Sequence, residues 1–371
     1  MTEQRQIVEV WRRGGARVLI TVVRVEGSSY RRPGARLLLS GEGLYAGTIS
    51  GGCLEAEVVR RADWKVRDGA VVEQYSTMFE DAVDVPFGLG CGGVVDLLLE
   101  PVESPEGQAL LAAIERSLAG EPSTVVTWLP GDGRSLRRVI VDASGRTIFA
   151  SEGLAEKKLA CAHELIPGEE YEGRFVERLM SPQRLLIFGA GDDAKPLVSL
   201  AAMMGWSVMI ADGRSQLARA ERFPGAYRVI VATGDAAADA LNVQPSDAVV
   251  IMTHSYEQDR ALLAAVLPRH PRYLGMLGAR HRSSLLVSEA AQLTGCSLEE
   301  CCDRVWAPVG LDLGGDGPEA IALAIMAEAH AVCAGKIVIS RRLLPEDVVR
   351  HVREGGMSRY VEAQCALDTT E

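Results

Sequence analysis

Two cysteines in the first hundred residues sit among glycines. Cys53 closes the run Gly51-Gly52-Cys53, after an apolar stretch and directly before a helical pattern. Cys91 lies in Leu89-Gly90-Cys91-Gly92-Gly93, just ahead of a strongly apolar strand. A cysteine near a helix N-terminus meets free backbone N–H groups and the positive end of the helix dipole, which bind anions and favour the thiolate. Flanking glycines let a ligand approach the main chain, and a thiolate is a soft donor. The competing reading makes both cysteines small buried residues at tight turns. A third stretch, Gly27-Ser28-Ser29-Tyr30-Arg31-Arg32-Pro33-Gly34, presents Arg31 and Arg32 with two serine hydroxyls. That set suits a phosphate or a carboxylate, unless the arginines are simply solvated.

The second half carries a different signal. Gly189-Ala190-Gly191-Asp192-Asp193-Ala194 follows an apolar strand and opens a helix, the context a dinucleotide fingerprint requires. Gly189 suits the tight turn, Gly191 a close approach to a pyrophosphate, and Ala194 close helix packing. Asp212 ends the next strand about 20 residues on, where a carboxylate accepts hydrogen bonds from a ribose. Asp192 and Asp193 compete with an incoming phosphate, and Arg214 equally suits a 2′-phosphate, so NAD and NADP stay unseparated. Thr253-His254, with Asp259 nearby, falls at a strand's carboxyl end, where doubly wound sheets place ligands; His254 either contacts such a ligand or caps the next helix. The loop Gly310 to Pro318 reads as a further anion cradle or an intersubunit contact, and Cys301 and Cys302 as structural.

These residues need elements to hold them. A helix over 1–13 with Ile7, Val8 and Trp11 on one face precedes strands at 17–25, 35–40 and 44–50. A helix over 54–66, a loop rich in Asp and Gly, and a strand over 94–100 follow, giving an α+β domain over 1–102. Residues 103–181 read as a connecting subdomain with a helix over 107–119 and short strands over 123–129 and 136–141. Strands near 184–188, 207–211, 228–232, 248–253, 273–277 and 304–308 alternate with helices. That alternation predicts a Rossmann-like, doubly wound parallel sheet over 182–336, with a C-terminal extension over 337–371. The fold class is therefore α/β.

At 371 residues the chain is too long for one small module. Apolar residues at 47% and charged ones at 24% fit a chain folded throughout. A formal net charge of −11 argues against a nucleic-acid partner. No apolar run reaches the roughly 18 residues a bilayer crossing needs, and no secretory leader is read at the start, so a cytoplasmic protein without a membrane partner is expected. The eight cysteines show neither CxxC pairs nor zinc spacing, which points to reduced thiols and no metal site.

Taken together, GSSYRRPGAR, GTISGGCLE, LGCGGVVDLLLEP, LLIFGAGDDAKPL, THSYEQD, YLGMLGARHR and APVGLDLGGDGPEAIALAI resemble the XdhC/CoxI family of xanthine dehydrogenase accessory factors. The motifs span nearly the whole chain in the family's order; 103–181 has no matching motif. The resemblance implies a maturation factor rather than an enzyme. It would bind molybdenum cofactor, protect it while a cysteine desulfurase supplies the sulfido ligand, and deliver it to a molybdenum hydroxylase apoenzyme such as xanthine or carbon monoxide dehydrogenase. It places Cys53 and Cys91 near the cofactor, lets Gly51, Gly52, Gly92 and Gly93 shape the loops, and makes Gly189, Gly191 and Asp212 a nucleotide-like site. A homodimer is expected from the family and from the apolar helix near 321–326. Two other readings stand beside it: an NAD(P)-dependent oxidoreductase with the cysteines as a thiol pair, and a scaffold that docks desulfurase and apoenzyme.

Overall fold

The computed structural model describes residues 2–338 apart from 28, 42, 53, 77–92, 132, 156–158, 160, 161, 163, 164 and 168–171. Two compact units divide these residues, Glu3–Ser181 and Pro182–Val338. The C-terminal extension expected over 337–371 lies almost wholly outside the described residues.

The amino-terminal unit begins with α1 (Thr2–Arg13), β1 (Ala16–Glu26), β2 (Arg36–Ser40), β3 (Tyr45–Gly47), α2 (Glu55–Lys65), β4 (Val71–Ser76) and β5 (Val94–Pro101). Its first sheet has the order β3-β2-β1-β5-β4 with every neighbour antiparallel. β1 is covered on both faces. Val18, Ile20 and Val22 pack with Val58 and Ala62 of α2, and Leu19 packs on the opposite side with Ile7 and Leu110. Burial on both sides explains why the sequence reads as an unbroken apolar run rather than as alternation. β3 ends at Gly47 instead of continuing to Ser50, because the backbone N–H groups of Ile49 and Ser50 turn away to a carboxylate described below. β4 falls in the stretch read as a loop; it is an edge strand with Val71, Val72, Glu73 and Tyr75 half-buried and Gln74 exposed, held through its pairing with β5.

The same unit continues with α3 (Pro105–Leu118), β6 (Ser123–Trp128), β7 (Arg137–Asp142), β8 (Thr147–Ala150) and β9 (Arg174–Leu179). Ser104 caps α3, its side chain accepting the Gly107 N–H at 3.0 Å, and Pro105 fills the first turn. The second sheet runs β8-β7-β6-β9, again antiparallel. The sequence pattern signals neither β8 nor β9, since each is short and flanked by turn-rich sequence. Residues of 103–181 share one core with the first sheet: Leu110, Ile114, Val125, Ile140 and Leu179 pack with Ile7, Leu19 and Leu38.

Two ion pairs join the sheets, one of them fully buried. Arg138 of β7 makes a two-pronged contact with Glu100 of β5, at 2.8 and 3.0 Å, with side chains 1% and 0% exposed. The guanidinium also donates to Thr127 Oγ1 at 3.1 Å and to the Glu106 carbonyl at 2.6 Å. Arg36 of β2 pairs with Glu177 of β9.

The carboxy-terminal unit holds β10 (Arg184–Phe188), α4 (Ala194–Met203), β11 (Ser207–Asp212), β12 (Arg228–Val231), α5 (Gly234–Ala240), β13 (Ala248–Ile251), α6 (Tyr256–Val266), β14 (Tyr273–Met276), α7 (Arg280–Thr294), α8 (Leu298–Arg304), β15 (Val305–Trp306) and α9 (Pro318–Cys333). All strands are parallel in the order β12-β11-β10-β13-β14-β15, so the order reverses between β10 and β13. Helices cover both faces, α5 to α8 on one and α4 with α9 on the other. This is the doubly wound sheet that the alternation of strands and helices predicts. Among the described residues no helix is long and apolar enough to cross a membrane.

The ion pair between the sheets sets a stability test. Glu100→Gln leaves the Arg138 charge buried without its partner and is expected to cost about 3–5 kcal/mol, read from urea unfolding. The double change Glu100→Leu with Arg138→Met should recover much of that loss; an equal loss in both variants would assign the effect to packing rather than charge.

Candidate functional site

The antiparallel register brings the amino-terminal motifs to one end of one sheet. β1 finishes at Glu26 opposite Val94, the first residue of β5, while Thr21 of β1 faces Arg36, the first residue of β2. β3 ends at Gly47 opposite Leu37, and β4 ends at Ser76 opposite Val94. The turn carrying Arg31 and Arg32, the Gly51-Gly52 loop and buried Gly93 therefore all emerge from that end. Tyr30 makes the first two loops neighbours, because a Cβ built on Gly51 would stand 3.5 Å from its ring. The Tyr30 ring is otherwise open, the residue being 73% exposed. Arg31 is ion-paired with Glu3 of α1, whereas Arg32 is exposed. Cys53, Cys91 and Gly92 lie outside the described residues.

The loop ahead of α2 has an anion of its own. Glu55 is 2% exposed and accepts the backbone N–H groups of Ile49 at 3.1 Å, Ser50 at 2.9 Å and Gly52 at 3.1 Å. The hydroxyls of Thr48, at 2.5 Å, and Ser50 complete the shell, and Ser50 Oγ in turn accepts the Leu54 N–H at 3.0 Å. Burial pushes the Glu55 carboxyl up, but the donors from Ser50 and Thr48 outweigh it and hold the pKa at about 2. This corrects the expectation that the N–H groups of this loop stand free for an external anion: those of residues 49, 50 and 52 are taken. Sequence reading missed Glu55, although an acid three residues after Gly52 at a helix start has the spacing of the reaching half of a capping box.

In the carboxy-terminal unit the remaining residues gather at the carboxyl ends of β10, β11 and β13. Gly189 follows β10, and a Cβ on it would overlap the Met252 carbonyl oxygen. Asp212 ends β11 with its side chain fully buried. Its oxygens accept the Ala190 N–H at 2.7 Å, the Arg214 N–H at 2.8 Å, and the Arg214 guanidinium at 2.7 and 3.0 Å. Burial alone would raise its pKa; these donors pull it below the usual carboxylate range.

His254 adopts a left-handed backbone, φ 64°, and its Nε2 lies 2.7 Å from Asp193 Oδ2. The cap of α6 is Ser255, whose Oγ accepts the Gln258 N–H, so His254 does not serve as the cap. Beside it Asp259 is buried and receives Thr253 Oγ1 at 2.6 Å and Arg282 at 2.7 Å, tying the loop after β13 to α7. The glycine loop after β15 is fixed in the same manner: the Gly310 N–H and the Tyr273 hydroxyl both donate to Glu328 of α9, at 2.9 and 2.6 Å. Cys301 is buried in the core beside α7 and Cys302 is exposed.

Comparison with known proteins places both units. Residues 185–329 match the profile of the XdhC Rossmann domain, and residues 10–76 that of the XdhC and CoxI family; together the matches cover more than half of the chain. The chain is 28% identical over 324 residues to a probable xanthine dehydrogenase subunit from Bacillus subtilis (strain 168), covering 84% of this chain and 91% of that protein. It is 26% identical over 331 residues to the molybdenum cofactor insertion chaperone PaoD of Escherichia coli (strain K12), covering 88% and 87%. A crystal structure of a xanthine dehydrogenase from Bacillus halodurans superposes with a TM-score of 0.77 at 29% identity, over 94% of this chain and 99% of that one.

The Glu55 shell predicts an acid-sensitive loop. With its folded pKa depressed, the ionised carboxylate adds stability above the ordinary carboxylate range, and that stability drains away as the pH falls toward about 2. Glu55→Gln should lower stability at neutral pH by about 2–3 kcal/mol and flatten the acid limb below roughly pH 5 in stepped-pH urea melts. A variant with the wild-type acid limb would show that Glu55 is not the group responsible.

Proposed function

Because the chain belongs to the XdhC and CoxI family, we propose that it is a carrier that binds molybdenum cofactor and delivers it to a molybdenum hydroxylase of the xanthine dehydrogenase type. The similarity to a molybdenum cofactor insertion chaperone over most of both chains supports this reading. The observation that carries it is the common sheet end from which the Arg31-Arg32 turn, the Gly51-Gly52 loop and Gly93 emerge.

The cargo is a bicyclic pterin with an anionic phosphate and a soft, oxygen-sensitive metal centre. Arg32, exposed on its turn, takes the phosphate through charge-assisted hydrogen bonds, and Arg31 stays braced on Glu3. The open face of Tyr30 offers a stacking surface for the pterin. Gly51, Gly52, Gly92 and Gly93 keep side chains out of the approach, and Cys53 and Cys91 supply thiols that ligate or shield the metal. Glu55 keeps its loop in shape without touching cargo, so release needs no rearrangement of the sheet. The protein performs no turnover in this scheme: it holds the cofactor while a cysteine desulfurase adds sulfur, then passes it to the apoenzyme, in the cytoplasm and as a homodimer.

Protein purified without oxygen from a host that makes the cofactor should release near-stoichiometric pterin on acid oxidation, read by fluorescence. The pair Cys53→Ala and Cys91→Ala should lose that pterin with an unchanged melting temperature, and Arg32→Ala should weaken retention about tenfold. Pterin-free wild-type protein would overturn the carrier, and full retention by the cysteine variant would remove the thiols from the site.

A further inference from the structure

In the glycine-rich turn after β10, every feature that would serve a dinucleotide already serves the chain. Gly189 is demanded by the backbone of the neighbouring strand end, since a Cβ there would overlap the Met252 carbonyl whether or not a ligand is present. Gly191 keeps a space open beside its Cα, and the Asp193 carboxylate fills it: a Cβ on Gly191 would overlap Asp193 Oδ1. The other oxygen of that carboxylate meets His254 Nε2 at 2.7 Å, which bridges the loops after β10 and β13 where the strand order reverses. Asp192 is gripped from two sides, by Lys195 and Arg222, each at 2.7 Å. Arg222 also donates to the Ala190 and Leu217 carbonyls, at 2.7 and 2.8 Å.

The ribose position is filled in the same way. Asp212 has four donors on its two oxygens, all from within the chain, and its side chain has no exposed surface. Three of the four come from Arg214, so neither a 2′-hydroxyl nor a 2′-phosphate finds its usual partner free. A pyrophosphate at the start of α4 needs donors there and no competing negative charge. Two carboxylates now occupy that place, and the basic groups that would attract a phosphate are bound to them.

We infer that the carboxy-terminal unit is a self-filled dinucleotide fold: Asp192 and Asp193 stand in for the phosphates and Arg214 for the ribose, so neither NAD nor NADP binds at this turn. The inference concerns this unit alone and holds whether or not the amino-terminal unit carries a pterin. It also separates the chain from an NAD(P)-dependent oxidoreductase, the alternative that the glycine pattern leaves open.

The test uses the full-length protein. NADH and NADPH, followed by fluorescence, should show no saturable binding up to about 1 mM, and pyrophosphate, followed by calorimetry, should bind weakly. Asp192→Ala with Asp193→Ala frees Lys195, Arg222, His254 and the start of α4 together, and should tighten pyrophosphate binding at least tenfold, to about that order or beyond. Saturable binding of either nucleotide to the wild type below about 1 mM overturns the inference. So does a double variant that is folded by circular dichroism yet gains no affinity for pyrophosphate. Should the double variant fail to fold, the wild-type titrations still decide.

Discussion

A buried carboxylate that stays ionised is the constraint on which the proposed site depends. Glu55 gathers three backbone N–H groups and two hydroxyls around one charge, and in doing so sets the path of residues 48–52 after β3. Without that charge the N–H groups of a glycine-rich loop would need water or an external anion to satisfy them. The two exposed glycines can be flexible in sequence and still hold one shape, because their geometry is imposed by a neighbour rather than by their own side chains.

Acidic side chains play the same part in the carboxy-terminal unit. Asp193, Asp212, Asp259 and Glu328 each tie one loop at the sheet's carboxyl edge to another element. Parallel sheets usually leave those loops free to meet a ligand, and the helix starts beneath them favour negative charge. Here the chain supplies much of that charge itself. Loops secured in this way lose less freedom when another protein docks on them than loops awaiting a small molecule.

The sequence made the second unit legible almost strand by strand, because a parallel sheet buried on both faces writes itself as short apolar runs between helices. β15 shrank to Val305–Trp306, and no strand end of this unit moved by more than two residues. The amino-terminal unit was harder. β4, β8 and β9 are edge strands of mixed burial, and an edge strand carries half the packing that makes a pattern visible. The positions of Arg31, Arg32, Gly51, Gly52 and Gly93 were legible as motifs, but their meeting at one sheet end follows from strand direction, which no local pattern encodes. Glu55 escaped notice because an acid at a helix start is ordinary in sequence, whereas the competition of Asp192 and Asp193 with a phosphate was legible from their place at one. Only the distances reveal that Glu55 satisfies a loop and that the Asp193 carboxylate fills the space beside Gly191.

Arg138 and Glu100 carry a consequence for how such a protein can change over time. Each is buried with hardly any access to water, one on each sheet of the amino-terminal unit. A gene fragment ending shortly after β5 would export Glu100 without its counter-charge, and one beginning at α3 would strand the guanidinium in oil-like surroundings. Recombination at that seam is therefore penalised, and the stretch with no motif of its own is inherited along with the loops that bear the cysteines.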